Sequence, residues 1–224
     1  MLKRTIDSLK FRWNKINQSR EEKRHSLVGA PHLWKMKQDF QFNFLVNHGM
    51  EPDQILLDVG CGTLRGGIPI IDFLDKGNYY GIEVRPEVLE EGEKELNYHK
   101  LDHKTPNLIS FEKFESLQID EKFDIIFAFS TLIHFEDHIT KAFFEFLSRQ
   151  LSEKGVFWGN VNIESYSDGR WQGFPIVFRP FSFYQKLADE NNLLLNDLGK
   201  LTDLGHVSDE SISDKQVMLE IRKK

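Results

Sequence analysis

Apolar residues recur along this chain with two different periods, and the switches between them predict its elements. Leu2, Ile6, Leu9, Trp13 and Ile16 fall four and three apart. That spacing makes one stripe of a helix, with Lys3, Arg4, Lys10, Arg12 and Lys15 off it. A break at Val28-Gly29-Ala30-Pro31 ends the pattern. A second helix is predicted over 31–49, with Pro31 in its first turn and Trp34, Phe40, Phe44 and Leu45 as its apolar mass. From residue 55 onward short apolar runs alternate with helical periodicity. Strands are predicted at 55–59, 79–83, 107–111, 122–130 and 156–161. The helices between them are predicted at 68–74, 86–96 and 139–151. Residues 152–155 are expected to turn, and the run at 122–130 is apolar enough for a strand buried on both faces. Ser182 is expected to cap a last helix running to about Asn191. Strands at 193–198 and 216–221 then follow, joined without a helix and therefore as an antiparallel hairpin. Strand–helix alternation of this kind predicts an α/β, doubly wound sheet.

Composition narrows the class. The chain has 224 residues, 40% hydrophobic and 29% charged, which suits one globular domain. No apolar run nears the roughly 20 residues that a membrane helix needs, and no signal-peptide pattern is present. A single cysteine, Cys61, excludes an internal disulfide framework and fits a reducing, cytoplasmic setting. The net charge of −6 argues against a general nucleic-acid binder. That charge is uneven, at +5 over residues 1–24 and −11 over the rest. The first helix therefore reads as basic and amphipathic. It is expected to pack on the domain or on a second copy of the chain, or to touch an anionic membrane surface. The division drawn is 1–27 for this helix and 28–224 for the domain.

The candidate chemistry begins at Asp58-Val59-Gly60-Cys61-Gly62-Thr63, an apolar run closing on an acid and then glycines at alternate positions. Strand, tight turn and helix in that order bring bare backbone close to a ligand. This stretch resembles the first motif of the Rossmann-like S-adenosylmethionine (SAM)-dependent methyltransferases. The family's third glycine is Leu64 here, and Gly66 and Gly67 are expected to supply the lost flexibility. Phe123-Asp124, leading a strand that ends in Ser130-Thr-Leu-Ile-His134, resembles the family's fourth motif. The resemblance covers about residues 31–222. It implies a mostly parallel seven-stranded sheet with the last strand antiparallel, SAM as cofactor, and methyl transfer as the activity.

The resemblance also implies site residues. Asp58, Gly60, Cys61 and Gly62 would hold the cofactor, and Ser130 would face the transfer centre. Glu83 closes the second strand about 20 residues past the loop, where a ribose carboxylate is expected. Glu112 would bond the adenine amino group, with Phe114 flanking the ring. Trp34 reads either as core or as a cofactor contact from the preceding helix. His134 reads either as a general base, its ordinary pKa near 6.5 suiting that task, or as a backbone-bonded histidine shaping the pocket floor. Pairing His134 with His138 lacks a third ligand, so no metal site is expected. The aromatic insert at 164–180 is expected to be a substrate lid or a packed surface loop, and the loop carrying His206 is expected at the site's edge. The expected acceptor is a small polar molecule methylated on oxygen, such as a sugar. The alternatives are a SAM-binding module without catalysis and a NAD-dependent oxidoreductase; Arg65, where Gly-x-Gly-x-x-Gly wants glycine, counts against the latter.

Overall fold

The computed structural model describes residues 25–224 apart from Ser165, Gln172 and Asp209, so the basic helix expected in residues 1–24 lies outside the described residues. A 3-10 turn at Pro31–Leu33 leads into α1 (Trp34–Asn47), and Pro31 opens it as the sequence predicts. The strands and helices then alternate: β1 (Leu56–Val59), α2 (Gly67–Phe73), β2 (Tyr79–Glu83), α3 (Pro86–Tyr98), β3 (Asn107–Ser110), β4 (Phe123–Ala128), α4 (Asp137–Gln150) and β5 (Leu151–Val161). A small hairpin follows, β6 (Gly169–Trp171) and β7 (Phe174–Ile176). The chain closes with α5 (Phe181–Glu190), β8 (Leu193–Lys200), the single turn α6 (Ser211–Asp214) and β9 (Val217–Lys223).

The main sheet has seven strands in the order β3-β2-β1-β4-β5-β9-β8. β1 pairs in parallel with both β2 and β4, and β9 runs antiparallel to both β5 and β8. The doubly wound sheet with its final strand antiparallel is therefore as expected, and that strand lies one place in from the edge. Successive side chains in a strand face opposite ways, and this splits the core in two. Leu57, Val59, Ile126, Ala128 and Phe157 face one layer with Phe143, Phe146 and Leu147 of α4. Leu56, Ile125, Phe127 and Trp158 face the other, with Phe44 and Leu45 of α1, Ile70 and Ile71 of α2, and Leu89 of α3. Burial on both faces is why β1 and β4 read as continuous apolar runs.

Three local expectations need correction. Ser182 is not a cap: Pro180, held extended at φ −63°, ψ 154°, precedes the helix, and Ser182 already lies within its first turn. Residues 152–155 are not a free turn, because Leu151 already pairs with Phe123 and the register next resumes at Ile125 with Val156. They bulge out of β5. The connection from β8 to β9 is not helix-free, since α6 sits in it. The pairing of the two strands is unaffected, because the register between β8 and β9 is set by their apolar faces rather than by the connection.

Candidate active site

Strand order reverses between β2-β1 and β4-β5, and the carboxyl ends there open a crevice, the usual ligand position in such sheets. The cleft has a volume of about 930 Å³ with its open mouth included. Its floor is the loop after β1. Its walls are Glu83 to Arg85 after β2 and Phe129 to His134 after β4. Leu27, Val28, Trp171 and Phe174 approach from the rim.

The floor needs its glycines. Gly60 has φ +72°, and a Cβ there would stand 2.6 Å from Thr131 Oγ1; Gly62 has φ +57°, and a Cβ there would stand 2.7 Å from Val28 Cγ1. Both are left-handed conformations that side chains resist, and both are crowded. Leu64 keeps the same left-handed conformation, φ +60°, with no glycine to ease it. The loop thus follows one backbone path despite the substitution, and Gly66, at φ −74°, supplies no left-handed residue.

Asp58 is buried, and the Tyr79 hydroxyl donates to its Oδ2 at 2.8 Å. Burial pushes its carboxyl up to about 6, against the Tyr79 bond and the Arg65 charge, which hold it down. Burial lowers Arg65 to about 10, leaving it charged at neutral pH. Arg65 donates to the Val28 carbonyl at 2.9 Å. Cys61 is buried and its thiol is pushed well up by burial, so it is a neutral packing group here. Glu83 is buried and faces the cleft. Its Oε1 accepts from the Arg85 backbone N–H at 3.1 Å and from Arg85 Nε at 3.0 Å, while Oε2 has only a 3.4 Å contact from the same guanidinium.

Ser130 stands at the end of β4 with φ +58°. Its N–H donates to Asn160 Oδ1 at 2.6 Å, and Asn160 Nδ2 donates to Gln216 Oε1 at 2.6 Å. A buried polar chain from β4 through β5 to the edge of β9 thus fixes this corner. His134, half-buried, lines the same wall. Its Nδ1 lies 2.6 Å from the Pro175 carbonyl oxygen. A carbonyl only accepts, so the proton of the neutral ring sits on Nδ1 and Nε2 keeps its lone pair. Burial lowers the His134 pKa, with Arg85 lowering it further against the Pro175 bond, so the ring is neutral at neutral pH.

The structure does not bring every expected residue here. Trp34 stands off the cleft, stacked on His25 at 3.5 Å between centroids; α1 reaches the cleft through Gln41 instead. Glu112 is exposed and lines a separate shallow pocket, because β3 ends at Ser110 and Phe111 turns inward in its place. Phe114 packs in the core against Phe143 and Phe146. His206 is buried behind the cleft wall, against Phe40 and Phe129, with Nδ1 3.4 Å from Asp214. Among the described residues no group of three or more His, Cys, Asp or Glu could hold a metal ion, and no helix is long and apolar enough to cross a membrane.

The fold is shared widely. A magnesium protoporphyrin IX methyltransferase from Synechocystis PCC 6803, solved with SAM, superposes with TM-score 0.66 at 14% identity, over 95% of this chain and 90% of that one. A SAM-dependent methyltransferase from Clostridium acetobutylicum ATCC 824 gives 0.63 at 15%, over 98% and 99%. A glycopeptide N-methyltransferase gives 0.63 at 11%, over 84% and 90%. Such low identities speak for the fold. No curated protein sequence matches the chain. Residues 57–157, from within β1 to within β5, match a family model described as a methyltransferase domain.

Over residues 57–157 the chain resembles a methyltransferase domain, on the fold that SAM-dependent methyltransferases share.

The cleft fits SAM on its own geometry. The crowded glycines bare the backbone of the floor, and Glu83 is a buried carboxylate at the wall with acceptor capacity left on Oε2. The sequence reading missed Arg65, Gln41, Arg85 and Phe111 as lining residues, while Trp171 and Phe174 line the cleft from the insert expected as a lid or a packed loop. Arg65 and Arg85 lie directly beside recognised motif positions, and that adjacency was the available signal. Phe111 carried no signal that separated it from core aromatics.

Proposed function

We propose that this chain is a SAM-dependent methyltransferase that acts on a hydroxyl of a small polar acceptor, a sugar or another polar metabolite, with His134 as the general base. The observation that carries the proposal is the Pro175 bond to Nδ1, which leaves Nε2 unprotonated on a ring that lines the cleft. Glu83 would accept from the cofactor's ribose, the glycine floor at Gly60 to Gly62 would lie along it, and Arg65 with Gln41 would meet its carboxylate end. When bound, SAM supplies a methyl group made electrophilic by the adjoining sulfonium. His134 would take the acceptor's proton at Nε2, while Ser130 and Thr131 border the space where the acceptor oxygen must stand. Most of the acceleration then comes from alignment of the two reactants, with the base adding to it.

Two features favour a hydroxyl over an amine. The cleft's two carboxylates already have partners, Asp58 in Tyr79 and Glu83 in Arg85, and the capacity left on Glu83 Oε2 goes to the ribose, so neither is left to hold an acceptor's ammonium. The Arg85 guanidinium also lies over the Phe174 ring at 5.2 Å and occupies the cation-binding face of that aromatic. The solved relatives act on a magnesium porphyrin and on a glycopeptide, so the fold leaves the acceptor open.

The test is calorimetric titration with SAM and S-adenosylhomocysteine, with NADH alongside, for wild type, Glu83→Ala and His134→Gln. Micromolar SAM binding is expected in wild type, weakened at least about tenfold in Glu83→Ala by loss of a charge-assisted bond. His134→Gln should bind SAM within about twofold of wild type while losing about 100-fold or more in kcat with any hydroxyl acceptor that turns over. No SAM binding by the folded wild type would sink the reading.

A further inference from the structure

The insert between β5 and α5 is a hairpin of two three-residue strands. Two such strands alone are not stable in water, so this one depends on its docking. It docks on the turn that carries His134. Val177 N–H donates to the Ile133 carbonyl at 2.9 Å, and the Asn162 side-chain amide donates to the Val177 carbonyl at 3.0 Å. Trp171 and Phe174 both approach the His134 ring, at 6.4 and 5.8 Å between centroids.

One side chain ties the base of this hairpin to the helix that follows His134. Arg179 Nη1 and Nη2 donate to the two oxygens of Asp168 at 2.7 and 2.9 Å, a bidentate fork. Its Nε donates to Asp137 Oδ1 at 2.6 Å. Asp168 stands just before β6, Arg179 just after β7, and Asp137 opens α4 three residues beyond His134. Asp168 also accepts from the Phe178 N–H at 3.0 Å, and the Arg179 N–H donates to the Asn162 carbonyl at 3.1 Å. An arginine is required for this geometry, because its planar fork grips one carboxylate with two bonds while the third nitrogen reaches another.

We propose that Arg179 is a positioning residue for His134. By gripping Asp168 and Asp137 together it holds the hairpin in register on the turn, so that the Pro175 carbonyl keeps the ring proton on Nδ1 and leaves Nε2 as the proton acceptor. The catalytic meaning of this rests on the reading of His134 as base; the tautomer itself does not. The pairs are partly solvent-exposed, Asp137 at 60% and Asp168 at 47% of their side-chain area. Such pairs contribute little to global stability, so the clamp acts through placement rather than through folding.

The test is long-range proton–nitrogen NMR of the full chain labelled with ring-¹⁵N histidine at pH 8, where the ring is neutral, with His134→Gln assigning the signals. Wild type should show His134 protonated on Nδ1. In Arg179→Gln, and separately in Asp168→Asn, the ratio of Nδ1-protonated to Nε2-protonated ring should fall about tenfold, the worth of one typical hydrogen bond. Arg179→Lys, which keeps the charge but not the fork, should fall between. SAM affinity should stay within about twofold in all of them, since neither Arg179 nor Asp168 lines the cleft. A wild-type ring protonated on Nε2, or an unchanged tautomer ratio in Arg179→Gln and Asp168→Asn, overturns the proposal. Full turnover by His134→Gln would remove the base reading and leave the clamp to be judged by the tautomer ratio alone.

Discussion

Leu64 shows how a single residue can break a motif and keep its geometry. Its backbone is left-handed and its side chain is wholly buried. That side chain fills the space beside Gly67 and Gly92, where α2 and α3 come near the loop. A left-handed non-glycine residue costs about 1–2 kcal/mol, and burying a leucine side chain contributes about 1.5–3 kcal/mol, so burial wins. Leu64→Ala should therefore cost about 2–4 kcal/mol in urea denaturation. Leu64→Gly should cost no more than the alanine, reversing the usual order of roughly 0.5–1 kcal/mol in alanine's favour. Glycine clearly below alanine would mean the left-handed strain is not stored there. The sequence marked Leu64 as a departure but not its consequence, because the compensating contacts come from Gly92, 28 positions further on.

At the scale of elements, the hairpin at residues 169–176 is where sequence reasoning reached least far. The expectation left a lid and a packed loop both open, and the hairpin has features of each. It packs on the turn after β4 through main-chain bonds, and it presents Trp171 and Phe174 to the cleft. Trp171 is 41% exposed, leaving ring face for an acceptor at the mouth. Trp171→Ala should raise KM for a hydroxyl acceptor about tenfold, the scale of one lost aromatic contact, with SAM affinity within about twofold. A change confined to SAM affinity would place Trp171 on the cofactor instead. The same scale explains Trp34 and Glu112. Both lie close in sequence to cleft-lining residues, yet Trp34 stands about two turns, roughly 10 Å, before Gln41 on the same face of α1, and the end of β3 presents Phe111 rather than Glu112. In extended chain one position changes the face, which separates Phe111 from Glu112.

For the whole molecule, the buried acid under the cleft makes stability depend on pH. Asp58 has its carboxyl raised from 3.8 to about 6, burial being the main cause. A raised carboxyl means that the folded state holds the proton more tightly than the unfolded one. Its favourable contribution is full below about pH 4 and is lost as pH rises through about 6, a swing of roughly 3 kcal/mol. Asp58→Asn keeps an acceptor for Tyr79 and has no charge to bury. Its unfolding free energy relative to wild type should rise by roughly 3 kcal/mol between pH 4 and pH 8, measured by urea melts at each pH. A difference that is flat with pH would show that Asp58 is not strained as an anion. By itself the sequence determined the sheet, its helices and the glycine floor, because apolar periodicity and left-handed glycines are local properties that each segment carries with it. It also put Asp58, Glu83 and Ser130 at strand ends, with His134 just beyond, and those are where a parallel sheet opens its crevice. Only the tertiary structure decided which nitrogen of His134 is free, that Arg85 covers Glu83, and that Arg179 joins the hairpin to α4. Each depends on contacts between residues whose approach no local pattern encodes, or on the direction a side chain takes once its neighbours have packed.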